Sequence, residues 1–230
     1  MLVFIHGMSF HTDVWKPFIN FFSDKGFKCK AVELRKDRDL RKTVFDDYVE
    51  SVREIVSLED IVIGHSMGGL IAQKVAEYGV VKAVISICPA PPRNIGSVSS
   101  IPLYAILRYI PGVLINKPIK LSYAFYRKYL ANCLDEEKAR ESYESSDAES
   151  AKVTMELGLR RISVDPKGVS SPILFLAARE DRVSPPDIVR KVAELYEAEF
   201  KILDGCHYIF YEWQGFAEAI LDFMDKHNIV

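Results

Sequence analysis

The sequence has no strong excess of either charge. Its 230 residues include 30 Lys or Arg and 32 Asp or Glu, which gives a formal net charge of −2. The basic residues are dispersed among acidic ones, so the chain lacks the basic patch that is typical of nucleic-acid-binding proteins. We therefore expect no nucleic-acid partner.

The sequence also lacks a long apolar run. The most hydrophobic later stretch, 101–115, contains Arg108, Pro102 and Pro111 and is shorter than the roughly 20 apolar residues of a membrane-spanning helix. The chain opens with Met1-Leu2-Val3-Phe4-Ile5, which has neither a basic leader nor the apolar length of a signal peptide. These features predict a chain without a transmembrane segment and a cytoplasmic location.

Cysteine and glutamine are scarce. No Cys-x-x-Cys pair occurs, which argues against a zinc site and a dense disulfide framework and favours reduced, mostly buried thiols at the four cysteines, Cys29, Cys88, Cys133 and Cys206. Glutamine occurs only at Gln73 and Gln214, whereas charged residues make up 27% of the chain. This balance favours a heat-adapted source.

The remaining pattern alternates between strands and helices. Strands are predicted at 2–5, 27–34, 60–64, 80–88, 172–177 and 199–203, of which 60–64 and 80–88 are expected to be buried. Amphipathic helices are predicted at 14–25 with Asp13 as N-cap, 43–57, from just past Ser66 to near Gly79, 186–196 and 215–228. Repeated strand and helix units predict an α/β fold with a mainly parallel sheet of about six strands and helices on both faces.

One segment interrupts this alternation. Residues 89–168 have helical spacing and no convincing strand, which predicts a helical insertion between core segments 1–88 and 169–230. Its first half is rich in aromatic residues, whereas the charged stretch 135–156 is expected to face water. Aromatic side chains here favour an apolar cavity under a lid, although packing explains each one equally well: Tyr104, Tyr109, Tyr123, Phe125, Tyr126 and Tyr129.

The junction between the third strand and its helix carries a distinctive motif. Gly64-His65-Ser66-Met67-Gly68 fits Gly-x-Ser-x-Gly, in which a serine occupies a strained turn at the top of the sheet. A Cβ at either glycine position would collide where strand and helix pass closely. A helix N-terminus then points its partial positive charge at any anion formed there.

A serine nucleophile needs a base, and the base needs an orienting acid. The histidines at 6, 11, 65 and 227 lie in the first loop, at the first helix, inside the motif and in the terminal helix, which leaves His207, just past the last strand. Asp181, after the preceding strand, is the first choice for the acid, with Glu180 and Asp204 as weaker alternatives. The chain order of serine, acid and histidine is the one expected for this motif.

The sequence resembles the α/β-hydrolase family over nearly all of the chain outside the insertion. The resemblance rests on four motifs in the family's order: His6-Gly7 followed by Trp15, Gly64 to Gly69, Asp181 to Pro185 and Gly205-Cys206-His207. It implies that the backbone N–H groups of Met8 and Met67 form an oxyanion hole, that His6 supports its loop and that the insertion is a cap. Two strands that usually precede the first one are absent, so Leu2–Ile5 should be central, and the exposed sheet edge invites pairing between subunits in a homo-oligomer.

The implied reaction is acyl transfer to water by Ser66, His207 and Asp181, with no metal or organic cofactor. An ester of a small or medium apolar acid is the preferred small-molecule substrate. Thioester, lactone or carbon–carbon bond hydrolysis and a non-catalytic ligand-binding role are the alternatives. A redox role for Cys206, beside the base, is less favoured than simple packing of the thiol.

Overall fold

Six short strands form a single sheet in which every neighbouring pair is parallel. The computed structural model describes residues 1–95 and 108–229. The strands are β1 (Leu2–Ile5), β2 (Cys29–Val32), β3 (Ile61–His65), β4 (Ala83–Ile87), β5 (Ile173–Ala178) and β6 (Glu199–Leu203). Their spatial order is β2-β1-β3-β4-β5-β6. The predicted α/β fold with six strands is confirmed, whereas β1, expected at the centre, lies between the edge strand β2 and β3.

The core helices cover both faces of the sheet. They are α1 (Lys16–Asp24), α2 (Phe45–Arg53), α3 (Met67–Ala76), α8 (Pro186–Leu195) and α9 (Trp213–Lys226). Successive residues of β1 point to opposite faces, so Phe4 packs with the α1 and α9 side chains, whereas Val3 and Ile5 pack with those of α2, α3 and α8. Strands β1, β3, β4 and β5 are buried throughout, which explains their unbroken apolar runs.

The first helix starts later than the sequence pattern indicated. A 3-10 turn occupies Thr12–Trp15, and α1 begins only at Lys16 with Pro17 in its first turn. Asp13 therefore does not cap α1, because it lies inside the preceding turn. Gly26, at a φ of +88°, follows the helix in the left-handed conformation that glycine adopts without strain.

The insertion, residues 89–168, adds short helices but no strand of the sheet in its described part. These helices are α4 (Ile110–Leu114), α5 (Tyr123–Tyr129), α6 (Glu136–Glu144) and α7 (Ala151–Gly158). An isolated antiparallel bridge joins Ile119 to Glu149. In residues 1–95 and 108–229, no helix has the length and apolar character needed to cross a membrane.

Glu149 departs from the expectation that the charged stretch of the insertion faces water. Its side chain is fully buried, and Oε1 accepts hydrogen bonds from the Tyr48 hydroxyl at 2.6 Å and the Ser150 N–H at 2.7 Å. Burial, followed by the Glu149 charge, raises the pKa of Tyr48. Because Tyr48 belongs to α2, this carboxylate ties the insertion to the core, a role that only the tertiary contact reveals.

Candidate active site

Ser66 occupies the sharp turn between β3 and α3. Its φ of 54° and ψ of −118° lie in a region that non-glycine residues rarely adopt. A Cβ at Gly64 would lie 2.0 Å from the Gly68 carbonyl oxygen, and one at Gly68 would lie 2.3 Å from that of Ile5. Both glycines are therefore needed, the first for the approach of the helix and the second for its contact with β1.

Three of the predicted residues lie in one hydrogen-bonded row at the carboxyl ends of the strands. His207 Nε2 is 2.9 Å from Ser66 Oγ, and His207 Nδ1 is 2.8 Å from Asp181 Oδ2. Since a carboxylate only accepts, Nδ1–H donates to Asp181 and Nε2 is left to accept from the serine hydroxyl. All three side chains are buried. This tautomer is the one in which an imidazole can take the proton of Ser66.

Asp181 is held by its own loop. Its Oδ1 accepts from the backbone N–H groups of Val183, at 2.7 Å, and Ser184, at 2.8 Å. These two bonds leave Oδ2 directed at His207. Backbone donors thus fix the carboxylate independently of the histidine that it orients.

The two alternative acids lie outside this row. Asp204 pairs at the surface with Arg179, at 2.8 Å. Glu180 is exposed, and its carbonyl oxygen accepts from the Asn132 side chain at 3.0 Å. Neither carboxylate is bonded to His207, so Asp181 is the acid that the geometry brings to the histidine.

His65 is a site residue that sequence reasoning missed. Its buried Nε2 donates to the backbone carbonyl of His207 at 2.8 Å, and the two rings lie 4.9 Å apart. Burial, and then the charge of His207, lower the pKa of His65 well below its usual range, which keeps the ring neutral. No sequence signal indicated this contact, because it spans two loops that are distant in the chain.

The expected oxyanion donors belong to the start of α3 and to the first loop. Met67 begins α3, where the first N–H groups of a helix have no intrahelical partner and carry partial positive charge. Among the described residues, no acceptor takes the Met8 N–H. A Cβ at Gly7 would approach Ser66 Cβ to 3.0 Å, so the first loop packs closely against the serine.

The side chain of His6 stabilises the first loop by hydrogen bonds. Its buried ring donates from Nδ1 to the Gly7 carbonyl at 2.8 Å, and Nε2 lies 3.2 Å from both Leu34 N and Glu33 Oε1. Burial opposes ionisation of Glu33, but the hydrogen bond and charge of His6, together with the charge of Arg35, lower its pKa to about 2. His6 contacts its own loop and β2's end rather than Ser66.

The expectation of reduced thiols is wrong for two of the cysteines. Cys133, in the insertion, forms a disulfide with Cys206, which directly precedes His207. Their separation of 73 residues carries no local pairing signal, because folding of the insertion onto the core brings them together. Beside the disulfide, the Tyr208 N–H donates to the Leu130 carbonyl at 2.8 Å. Cys29 and Cys88 are free, and burial raises the pKa of the Cys88 thiol.

A mainly apolar cavity of about 190 Å³ opens beside Ser66 and His207. Of the aromatic residues singled out in the insertion, Tyr109 and Phe125 line it, whereas Tyr126 and Tyr129 are buried in the packing and Tyr104 lies outside the described residues. Within the described ranges, no three His, Cys, Asp or Glu side chains gather in a way that could hold a metal ion.

The fold and the site together define a class of α/β proteins that carry a serine on a strained turn above a parallel sheet. The sequence matches the model of the Alpha/beta hydrolase family over residues 2–219, and the chain belongs to that family. A search of curated proteins found no match.

Solved structures of similar fold come from proteins with different activities. They include a monoacylglycerol lipase from Paleococcus ferrophilus (19% identity, covering 98% of this chain and 94% of that one, TM-score 0.74). A bromoperoxidase from Bacillus anthracis (15%, 97% and 91%, 0.76) and a methylesterase from Arabidopsis (16%, 96% and 98%, 0.70) are also similar. At these identities the likeness shows the fold alone.

Proposed function

We propose that the protein is a serine hydrolase of the carboxylesterase type, acting on esters of small to medium apolar acids. The observation that carries the proposal is the row from Ser66 Oγ through His207 to Asp181, with hydrogen bonds of 2.9 and 2.8 Å, at the edge of an apolar cavity. A protein that only binds a ligand does not need a nucleophile, a base and an orienting acid aligned in this way.

In the proposed reaction, His207 Nε2 takes the proton from Ser66 as its oxygen attacks the ester carbonyl. Asp181 keeps the ring in the productive tautomer and stabilises the imidazolium that forms. The protonated Nε2 then passes its proton to the departing alcohol, which leaves an acyl group on Ser66. A water molecule, deprotonated by the same nitrogen, releases the acid and restores the serine.

The backbone N–H groups of Met8 and Met67 are the proposed oxyanion donors. Charge develops on the carbonyl oxygen only in the tetrahedral intermediate, so donors fixed in advance stabilise the transition state more than the substrate. Loss of one such donor typically lowers kcat by about 100- to 1,000-fold. The start of α3 adds its partial positive charge to the same position.

The proposed substrate size rests on the cavity. Its volume of about 190 Å³ is below the roughly 300–1,000 Å³ of pockets that hold drug-sized ligands. Leu121, Phe125, Leu130 and Leu157 are among its lining residues and provide an apolar wall for an acyl chain. We further propose that the insertion, 89–168, acts as a cap on the core formed by 1–88 and 169–230, since these four residues all belong to it.

Hydrolysis of p-nitrophenyl esters from acetate to palmitate tests the proposal. We expect wild type to turn over with an optimum at short to medium chains, and Ser66→Ala to lose activity by a factor of about 10,000 or more. Ser23→Ala, on the exposed face of α1, is the matched control and should retain full activity. A fluorophosphonate should label the wild type and not the Ser66→Ala variant.

The outcomes separate the alternatives. Activity that survives in Ser66→Ala would contradict the assignment of the nucleophile. If wild type is labelled but hydrolyses no ester, a thioester, lactone or carbon–carbon bond substrate replaces the ester. If it is neither labelled nor active, the binding role takes precedence.

The cytoplasmic location stays a prediction that depends on a heat-adapted source. A disulfide such as Cys133–Cys206 is typical of secreted proteins and of intracellular proteins from hyperthermophiles. With this disulfide, a cytoplasmic location is therefore expected only if the protein also comes from a heat-adapted source. A melting temperature above about 90 °C would support them, whereas a value in the mesophilic range of about 45–65 °C would contradict their combination.

Self-association also stays a prediction. Strand β2 is an edge of the sheet, where unpaired backbone groups favour pairing with a second copy. It is only four residues long and carries the exposed Lys30, both of which oppose such pairing. Light scattering on the purified protein distinguishes a monomer from a dimer.

A further inference from the structure

Four large aliphatic side chains are exposed on adjoining parts of the insertion. Leu114 is 77% exposed and Ile115 69%, at the end of α4, while Ile110 is 43% exposed at its start. Leu159, which is 60% exposed, follows α7, and α4 packs against α7. Exposed aliphatic side chains are normally scattered singly, so a group of this kind indicates an interaction surface.

Basic residues predominate among the exposed charges near these side chains, and the carboxylate of Glu156, three residues before Leu159, accepts from the Phe45 N–H at 2.9 Å. Arg108, Lys117 and Arg161 are exposed, and none of them has an ion-pair partner in the part of the chain that the structure describes. The sequence contains no Asp or Glu between Glu77 and Asp135. We call the surface formed by Arg108, Ile110, Leu114, Ile115, Lys117, Leu159 and Arg161 the docking face.

The docking face lies next to the cavity of the candidate active site. Tyr109 and Gly158 line that cavity, and they are the chain neighbours of Ile110 and Leu159. Leu58, another aliphatic side chain exposed to 65%, precedes β3 and so lies at the opposite end of the sheet from Ser66. The aliphatic and basic residues of the docking face are thus grouped beside the cavity that Ser66 and His207 line.

We propose that the docking face holds the protein on the surface of a bilayer that contains anionic phospholipid. Aliphatic side chains enter the boundary between headgroups and acyl chains, while arginine and lysine attract the lipid phosphates. This proposal rests on the proposed function. It makes esters carried by lipids the class of substrate, which would pass from the bilayer into the adjoining cavity.

Vesicle sedimentation tests the docking. Full-length Ser66→Ala is mixed with phosphatidylcholine vesicles that do or do not contain about one third phosphatidylglycerol, so that binding is measured without turnover. We expect at least tenfold stronger binding to the anionic vesicles. That preference should weaken as ionic strength rises and the Debye length falls below about 10 Å.

Two variants and one control locate the contact. Leu114→Asp combined with Ile115→Asp should reduce binding to anionic vesicles at least tenfold, and Lys117→Glu should reduce it at least fivefold, the factor expected for one basic residue near an anionic surface. Leu58→Asp, at the far end of the sheet, should bind like its parent. Circular dichroism verifies that each variant is folded.

Several results would overturn the docking. They are equal binding to both kinds of vesicle, no binding to either, an equal loss in Leu58→Asp, or a dimer in solution that requires the same residues. Hydrolysis of soluble p-nitrophenyl esters is measured separately on the Ser66 protein. If the protein hydrolyses esters but does not bind vesicles, the docking proposal fails and the proposed hydrolase function stands. If it binds vesicles but hydrolyses no ester, the hydrolase function fails and the membrane docking stands.

Discussion

The core and the insertion begin their helices in different ways. Each of the insertion helices α5, α6 and α7 has a side-chain N-cap, supplied by Ser122, Asp135 and Ser150. The core helices α1, α3, α8 and α9 have none, and neither does α4 of the insertion, while the N-terminus of α2 in the core has a bond from the Val44 N–H to Asp47 Oδ2 at 2.8 Å. A core helix is stabilised by an apolar face pressed on the sheet, whereas a helix of seven to nine residues beyond the sheet depends on local hydrogen bonds.

The two regions also differ in how they are joined to the rest of the molecule. The core strands share a continuous parallel ladder. The insertion is attached to the core by separate contacts, among them the Cys133–Cys206 disulfide, the buried Tyr48–Glu149 hydrogen bond and the Ser150–Thr43 hydrogen bond. The core is therefore most sensitive where strand and helix backbones pass closely, as at Gly68, whereas the insertion is joined to the core through groups that lie far apart in the chain.

The largest expected effect comes from a methyl group added to the core. Gly68→Ala would place a Cβ 2.3 Å from the Ile5 carbonyl oxygen and 2.7 Å from that of His6. Because both atoms are backbone, we expect a loss of at least about 4 kcal/mol in the free energy of unfolding, or no soluble protein. Urea denaturation measures the change.

Gly158→Ala is the matched substitution in the insertion. Its Cβ meets nothing within 4 Å, and the residue ends α7. We expect unchanged stability or a gain of up to about 1 kcal/mol, because alanine restricts the unfolded chain. Equal destabilisation by the two substitutions would contradict the role assigned to the close backbone contact at Gly68.

Breaking the disulfide should have the next largest effect. Cys133→Ser opens a loop of 73 residues, and we expect a loss of about 2–4 kcal/mol, the typical range for a disulfide and slightly below the roughly 4.4 kcal/mol that chain entropy alone predicts. Thermal unfolding under non-reducing conditions measures the shift, with Cys29→Ser as the control because Cys29 is a free thiol. If the denatured wild-type protein presents four titratable thiols, the bond does not form.

A single hydrogen-bonding group of the insertion should matter less. Ser150 caps α7 through Val153 N and donates to the Thr43 carbonyl at 2.6 Å, which links the insertion to the core. Ser150→Ala removes both bonds, and we expect a loss of about 1–2 kcal/mol. Chemical denaturation should detect it, while the exposed Ser145→Ala should change stability by less than about 0.5 kcal/mol.

The smallest expected effect is pH-dependent. The folded pKa of Glu33 is about 2, below its ordinary value of 4.5. Its stabilising contribution is therefore complete above about pH 4.5 and is lost as the pH falls toward 2. After solvent screening we expect about 1 kcal/mol. Unfolding free energies at pH 6 and pH 3 should differ less in Glu33→Gln than in the exposed control Glu194→Gln, and equal differences would contradict the assignment.

Local patterns predicted the core because each element there is recognisable from its own residues. The apolar run before Gly64 and the helical spacing after Ser66 locate the sharp turn without knowledge of any contact. Helix ends were predicted less well. Asp13 was expected to cap the first helix, but it lies in a 3-10 turn, and α1 begins at Lys16 with Pro17 in its first turn. Chain order also pointed to Asp181 and His207, which the structure brings together with Ser66.

The sequence alone determined the α/β alternation, the glycine-flanked serine and the order of the residues that lie around it, because these depend on neighbours in the chain. Tertiary structure decided the Cys133–Cys206 disulfide, the burial of Glu149 and the bond from His65 to the His207 carbonyl. Each joins groups that are far apart in the chain, and no local spacing encodes such a meeting. They follow only once the insertion has folded onto the sheet and the strand ends have come together.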